Sequence, residues 1–478
     1  MSSILVIGGS VAGIAAALAL ADAGHEVEVL ERSADALPET IDAAASWQRP
    51  TVPQGVHSHA FASLGCNLLR DRAPDVYEAL LAAGAGEINL ADYPPPMLRD
   101  FTRQPGDDNL RMVITRRSTF EFILRERALA RPGVTLTRGA TVRGLVTDPA
   151  DPARVTGVRL ADGAVKTADA VVDATGRRTA ADSWLAAAGL PVPVTTSENC
   201  KIVYYTRYYR QLTPTPPGPL NRGFGSGGLW DSYTAVLFLG DNRTFSISVG
   251  VLPEDGELKE LRHEAAFEAV IRATPLLAGW VAPGNSEPIS PVYAMGSLDN
   301  SIRTPAPGQP VPGGFFPIGD AICTTNPSYG RGVSVALREA FELADLLSKG
   351  TEPQQATRWA QLTADLVRPW LEEAIANDRD RATLWEATLA GRPLGRPPAG
   401  VISFGLAVAA STQDEVIWRR IANVMMMLAE PPALYADREI GMRIGKVLSS
   451  GPPPRLPGAS RADLVSAISG ALAAEPAR

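Results

Sequence analysis

Apolar and polar positions along this chain alternate between strand and helix periods. Ile4-Leu5-Val6-Ile7 is a continuous apolar run, as expected of a strand buried on both faces of a parallel sheet. Ile14 to Ala23 is dense in Ala and Leu and predicts a helix that Gly24 stops. Glu26 to Glu31 alternates charged and apolar residues, predicting a second strand that ends in a carboxylate. Further on, residues 64–83 predict a helical region broken by a proline and ended by Gly84, and Gly157 to Gly163 a hairpin. Ala168 to Gly176 predicts a strand that runs into a small-residue turn. Lys201 to Arg210 predicts a strand carrying Tyr204, Tyr205, Tyr208 and Tyr209, followed by strands over 235–239 and 244–249 around Gly240-Asp241-Asn242. Helical periods return over 261–274, 354–390 and 414–428. Gly451-Pro452-Pro453-Pro454 opens a tail with one helix, Asp463 to Ala473, either flexible or crossing to a partner.

Chemistry enters between the first strand and the first helix. Gly8-Gly9-Ser10-Val11-Ala12-Gly13 keeps the outer glycines of a dinucleotide-binding turn and places Ser10 where its middle glycine usually stands. Gly8 permits the tight turn, and small residues let a pyrophosphate approach the free N–H groups of the helix start. Glu31, with Arg32 beside it, stands about 20 residues beyond the turn, where a carboxylate accepts hydrogen bonds from an adenosine ribose. These elements in this order predict an adenine dinucleotide site, with FAD and NAD both open.

Composition narrows the class. A length of 478 residues suits two or three cooperating units, and 45 basic against 52 acidic residues give a net charge of -7, which offers no general attraction to nucleic acid. Three cysteines, Cys66, Cys200 and Cys323, and four histidines support neither a disulfide framework nor a metal site. The apolar start lacks a basic region of the kind that precedes an export signal, and no long charge-free stretch follows, so no transmembrane segment and a cytoplasmic location are expected.

Two distant segments bring in a resemblance. Phe315-Phe316-Pro317-Ile318-Gly319-Asp320-Ala321, followed by Asn326-Pro327-Ser328-Tyr329-Gly330-Arg331-Gly332 and a helix, resembles the Gly-Asp and Asn-Pro-x-x-Gly-x-Gly motifs of FAD-dependent monooxygenases related to para-hydroxybenzoate hydroxylase. Ile114 to Phe120 is similar to that family's arginine-headed helix, with Arg117 the better match and Arg116 the other. Val52-Pro53-Gln54-Gly55-Val56-His57-Ser58-His59 resembles the Val-Pro-Gln-x-x-His-x-His segment of bacterial relatives that include polyether epoxidases and some halogenase-like flavoproteins, with Val56 where an arginine is common, and the chain as a whole resembles bacterial natural-product hydroxylases and polyether or squalene-type epoxidases. Ala174-Thr175-Gly176 replaces the family's usual Asp-Gly.

The resemblance implies an α/β architecture. A Rossmann-like FAD-binding domain spans 1–190 and 288–350, an inserted antiparallel-sheet substrate domain 191–287, a C-terminal helical cap 351–450 and a tail 451–478. It implies that Gly8, Gly9, Ser10, Ala12, Gly13, Glu31, Arg32, Arg117, Asp320, Pro327, Gly330 and Gly332 hold FAD. His59, His57 and Tyr204 are the candidate catalytic side chains. The implied activity is hydroxylation or epoxidation of an apolar aromatic or polyene metabolite through a flavin C4a-hydroperoxide, with molecular oxygen as cosubstrate. Electrons come from NADPH or NADH, directly or through a separate flavin reductase. Alternatives are a flavin reductase or dehydrogenase acting on a carbon-carbon double bond, a halogenase, and a protein that holds FAD structurally. The sequence leaves the oligomeric state open.

Overall fold

The structure is a computed structural model that describes residues 1–47, 49–98, 101–393, 402–451 and 455–474. Its centre is a five-stranded parallel sheet in the spatial order Phe315–Pro317, Ala170–Asp173, Ser3–Ile7, Glu26–Glu31, Val134–Arg138. The first strand is buried on both faces, as its unbroken apolar run requires. Ile4 and Val6 join Val27, Val29, Val172 and Phe316 in one core, whereas Leu5 and Ile7 join Leu30, Val171 and Phe315 in another. Against the first core pack the helices Val11–Asp22, Arg117–Leu129 and Gly332–Leu347. The first helix carries many small residues on its buried surface, with Gly13, Ala15, Ala16, Ala17 and Ala19 enclosed. Small side chains let the Gly332–Leu347 helix approach closely, and this contact fixes two remote segments of sequence side by side.

Register decides where the loops emerge. Ile7 lies opposite Leu30 on one side and Asp173 on the other, and Asp173 lies opposite Pro317. The four strands therefore end together. The Gly8–Gly13 turn, the Ala174–Gly176 turn and the Gly319-Asp320 segment leave the same carboxyl edge, where open parallel sheets bind ligands.

A second sheet is antiparallel, in the order Gly225–Leu229, Tyr233–Leu239, Thr244–Val251, Val203–Gln211, Ser286–Pro288. Alternation gives its tyrosine strand two faces. Tyr205 and Tyr209 pack in a core with Phe245, Trp280 and the Glu264–Ala273 helix, whereas Tyr204 and Tyr208 point the other way. Val194–Asn199 pairs with Asp299–Thr304, so a small sheet joins the chain's outward and return passages.

The residues over 64–83 form two helices, Ser63–Arg72 and Pro74–Ala82, because Pro74 opens the second. Over 354–390 there is one helix, Pro353–Leu389, which passes through Pro369. The tail helix Arg461–Ala474 buries Leu464 and Ile468 in the core of the antiparallel sheet and lies along Glu264–Ala273. It is thus bound to its own chain. Pro452 to Pro454 lie outside the described residues.

Candidate functional site

The turn after the first strand is closed by contact. Gly8 has φ +107°, and a β-carbon there would stand 2.6 Å from Ala174 O. A β-carbon on Gly13 would run into Gly8 O. Ser10 begins the helix without a side-chain cap, so the N–H groups of its first turn have neither an intrahelical nor a capping acceptor. A partially positive helix end with open donors suits a pyrophosphate.

The second and third loops meet this turn. Gly319, at φ +60°, places its α-carbon so that a β-carbon would sit 3.0 Å from Ala12 Cβ, and Gly176 faces the Asp320 side chain. Beneath the Ala174–Gly176 turn, the buried Asp173 carboxylate accepts from Thr175 N (2.9 Å), Thr175 Oγ1 (2.6 Å) and Thr179 Oγ1 (2.6 Å). Burial raises the pKa of Asp173 despite these bonds, and it also raises that of Asp320 against the nearby charges of Arg117 and Arg177. Under Gly319, whose N–H donates to Glu339, the fully buried Glu339 carboxyl is pushed up to about 8 by desolvation.

The two neighbouring arginines have separate tasks. Arg116 is held by Asp241, which accepts from its backbone N–H (2.7 Å) and from Nη2 (2.6 Å), and so it ties the helix to the antiparallel sheet. Arg117 turns inward, donating to Ser10 Oγ (3.2 Å) and to His59 Nε2 (3.0 Å). That second bond fixes a tautomer. Because a guanidinium only donates, Nε2 of His59 carries no proton, and Nδ1–H donates to His57 O (2.8 Å). Burial, reinforced by Arg117, pushes the His59 pKa down to about 3. His57 is buried with Nδ1 3.0 Å from Thr206 Oγ1, and burial pushes it down to about 4.

The Asn326–Gly332 loop closes the other side. Gly330 adopts φ +66°, and a β-carbon there would stand 2.9 Å from Ala60 Cβ, which brings this loop against the one that carries His57 and His59. Pro327 and Gly332 are exposed at its rim. Tyr204 donates to Asn326 Oδ1 (2.7 Å), and Asn326 Nδ2 donates to Asp378 (2.6 Å), so Tyr204 holds the loop instead of lining open space. Tyr208 donates to His57 O (2.7 Å) in the same way.

At the opposite end, Glu31 accepts from Gly9 N–H (3.0 Å) and from Ser33 N–H (2.9 Å). Arg32 is exposed beside it. Two residues in no recognised motif complete a row. Arg49 pairs with both Glu31 and Glu121, and Glu121 faces Ser10 and Arg117. The signal that could have revealed Glu121 was its place one helical turn after Arg117. Arg49 carried no such signal, since only the tertiary fold brings its loop to the Arg117–Leu129 helix.

The residues present fit FAD. Glycine-lined backbone, an uncapped helix N-terminus, a carboxylate at the second strand's end and an inward arginine lie along one edge of the sheet. The fold is the one found in flavin-dependent oxidoreductases related to the monooxygenases and halogenases of the para-hydroxybenzoate hydroxylase type. The family of glucose inhibited division protein A matches over residues 3–189. Among individual proteins, the chain is similar to Protein Rv3254 of Mycobacterium tuberculosis (strain ATCC 25618 / H37Rv), 27% identical over 452 residues and covering 86% of this chain and 87% of that one. Among solved structures it is similar to PqsL, a probable FAD-dependent monooxygenase from Pseudomonas aeruginosa, with a TM-score of 0.57 at 15% identity, covering 81% of this chain and 99% of that one. It is similar also to CmlS, a flavin-dependent halogenase, with a TM-score of 0.58 at 17% identity, covering 94% and 77%. At such identities the likeness is one of fold. No helix among the described residues is long and apolar enough to cross a membrane.

Proposed function

We propose that this chain is an FAD-dependent monooxygenase that hydroxylates or epoxidises an apolar aromatic or polyene natural-product metabolite. The observation that carries the reading is the convergence of the Gly8–Gly13 turn, Gly176, Gly319-Asp320 and Arg117 at one sheet edge, with the Asn326–Gly332 loop closing over it. When bound, FAD supplies the electron storage and oxygen activation that no side chain here provides. The helix start at Val11 binds the pyrophosphate, Glu31 the ribose, and Asp320 the middle of the cofactor. Arg117 contributes a fixed positive charge, and His59, held neutral, places a second dipole beside it without adding charge.

Phe224 and Phe238 stack with ring centroids 5.9 Å apart, in a buried cluster with Trp418, Met426 and Met427. In this reading the substrate meets the edge of that cluster, whose apolar side chains suit a ring or polyene. Electrons come from NADPH or NADH, directly or through a separate reductase, and Ala174-Thr175-Gly176, standing where related enzymes carry Asp-Gly, is the feature that favours the separate reductase.

The test begins with the purified protein's absorption spectrum before and after reconstitution with FAD. Anaerobic reduction with NADPH, NADH or an added reductase is then followed by air and candidate alkenes or phenols. Oxygen-dependent product with one atom of labelled oxygen is the expected outcome. Failure to bind FAD after reconstitution sinks the reading, and an oxygen-independent reduction of the alkene replaces it with a reductase.

A further inference from the structure

Beside the edge strand of the parallel sheet, Phe315–Pro317, lies a pocket of about 730 Å³. Pro191, Pro193, Pro305, Pro310 and Pro312 form much of its wall, and Phe315 and Trp359 add aromatic rings. Proline has no N–H and a fixed φ, so loops built on it present a stiff apolar surface with few donors to satisfy. Gln309 ties these loops together, donating to Val192 O (2.9 Å) and accepting from Ala306 N–H (2.8 Å). The pocket is thus preformed, at a size that takes a small organic molecule. None of the residues expected to hold FAD lines it.

One polar pair interrupts the apolar lining. Arg303 spends its two terminal nitrogens on backbone, donating from Nη1 to Ala321 O and from Nη2 to Arg177 O, each at 3.3 Å. Its Nε has no hydrogen-bond acceptor and stands 3.7 Å from Asp182 Oδ2, beyond hydrogen-bond reach. Asp182 Oδ1 is buried without a donor, so this carboxylate accepts no hydrogen bond from any described residue. The side chain is 39% exposed and lines the pocket. Its open acceptor capacity selects what completes it. An ammonium offered to Asp182 would stand against the Arg303 guanidinium, and a carboxylate offered to Arg303 would stand against Asp182, whereas a neutral hydroxyl donates to the carboxylate without a like-charge contact.

We propose that this pocket is a second small-molecule site, apart from the glycine turn, that takes an uncharged apolar ring compound bearing a hydroxyl group. The ring lies against the proline walls, and its hydroxyl donates to Asp182, which Arg303 holds in place. The site is read from its own lining and stands whether or not the glycine turn holds FAD.

The experiment titrates FAD-reconstituted protein calorimetrically with 2-naphthol, with 2-methoxynaphthalene, which keeps the ring and loses the donor, and with 2-naphthylmethylamine, which carries a cation. The expected result is 2-naphthol binding with FAD retained, about tenfold or more tighter than either of the others. Asp182→Ala loses about tenfold in 2-naphthol affinity and leaves 2-methoxynaphthalene unchanged. Ala360→Phe, which places a ring in the pocket from the Pro353–Leu389 helix, weakens all three probes. Unchanged flavin content and melting temperature control for folding, and if Ala360→Phe does not fold, Asp182→Ala decides alone. Absence of 2-naphthol binding, equal or tighter binding of either other probe, or 2-naphthol affinity that Asp182→Ala leaves intact overturns the proposal. Should the protein take up no flavin, the proposed function fails, and the same titration of the flavin-free protein still decides the pocket.

Discussion

His59 sits between a carbonyl oxygen and a guanidinium, and its protonation state follows from that placement alone. One ring nitrogen must donate and the other must accept, so a second proton has no place to go. The consequence for stability has a definite sign. With folded values near 3 for His59 and 4 for His57, against about 6.5 unfolded, the unfolded chain binds protons first as pH falls. Stability from this source is complete above about pH 6.5 and declines below it, by about 1–2 kcal/mol for each histidine at pH 5. Thermal melts at pH 7 and pH 5 check this, with His59→Gln expected to show a smaller loss than the parent. An equal loss in the variant would assign the pH dependence to other groups. The residue scale also separates Arg116 from Arg117. Both stand at the start of the same helix, and only the position of Asp241, in the turn between two remote strands, draws one of them away from the glycine turn.

At the scale of elements, the loop over 326–332 is held less by its own turn chemistry than by the long helix behind it. Arg331 donates to Trp370 O (3.0 Å) and pairs with Glu373, with both side chains at or below 5% exposure. Arg331→Ala leaves Glu373 buried and unpaired, and a loss of about 3–5 kcal/mol is expected in urea unfolding. Arg331→Met combined with Glu373→Leu should recover most of it, because the larger part of the cost is the orphaned charge. If the single and double variants are equally unstable, the pair instead serves a geometric role. The same helix supplies Asp378 to Asn326, so the glycine motif and the helix over 353–389 act as one unit.

For the whole molecule, the tail helix shows how a remote segment completes a domain. Arg461 pairs with Asp255 (2.8 Å), and Leu464 and Ile468 enter the core between the antiparallel sheet and the Glu264–Ala273 helix. Leu464→Ala should cost about 2–5 kcal/mol and expose the antiparallel sheet to limited proteolysis before the parallel sheet. Simultaneous cleavage of both would mean that the tail stabilises the molecule as a whole.

Sequence by itself determined the elements and the ligand class at the opening turn, because period, glycine spacing and a terminal carboxylate are local properties. The strand Glu26–Glu31 and the helix after Gly332 could be read residue by residue for that reason. The tyrosine strand's two faces were equally legible, since alternation is a property of the strand itself. Only the tertiary structure decided that Tyr204 spends its hydroxyl on Asn326, that Arg117 and not Arg116 turns inward, and that Arg49 reaches Glu31 and Glu121. Those outcomes depend on which distant groups arrive within about 3 Å, a distance set by sheet register and helix packing that no local pattern encodes. The opening turn thus announced a dinucleotide from its own residues, and the fold added the row of charges beside it and the pocket at the sheet's edge strand.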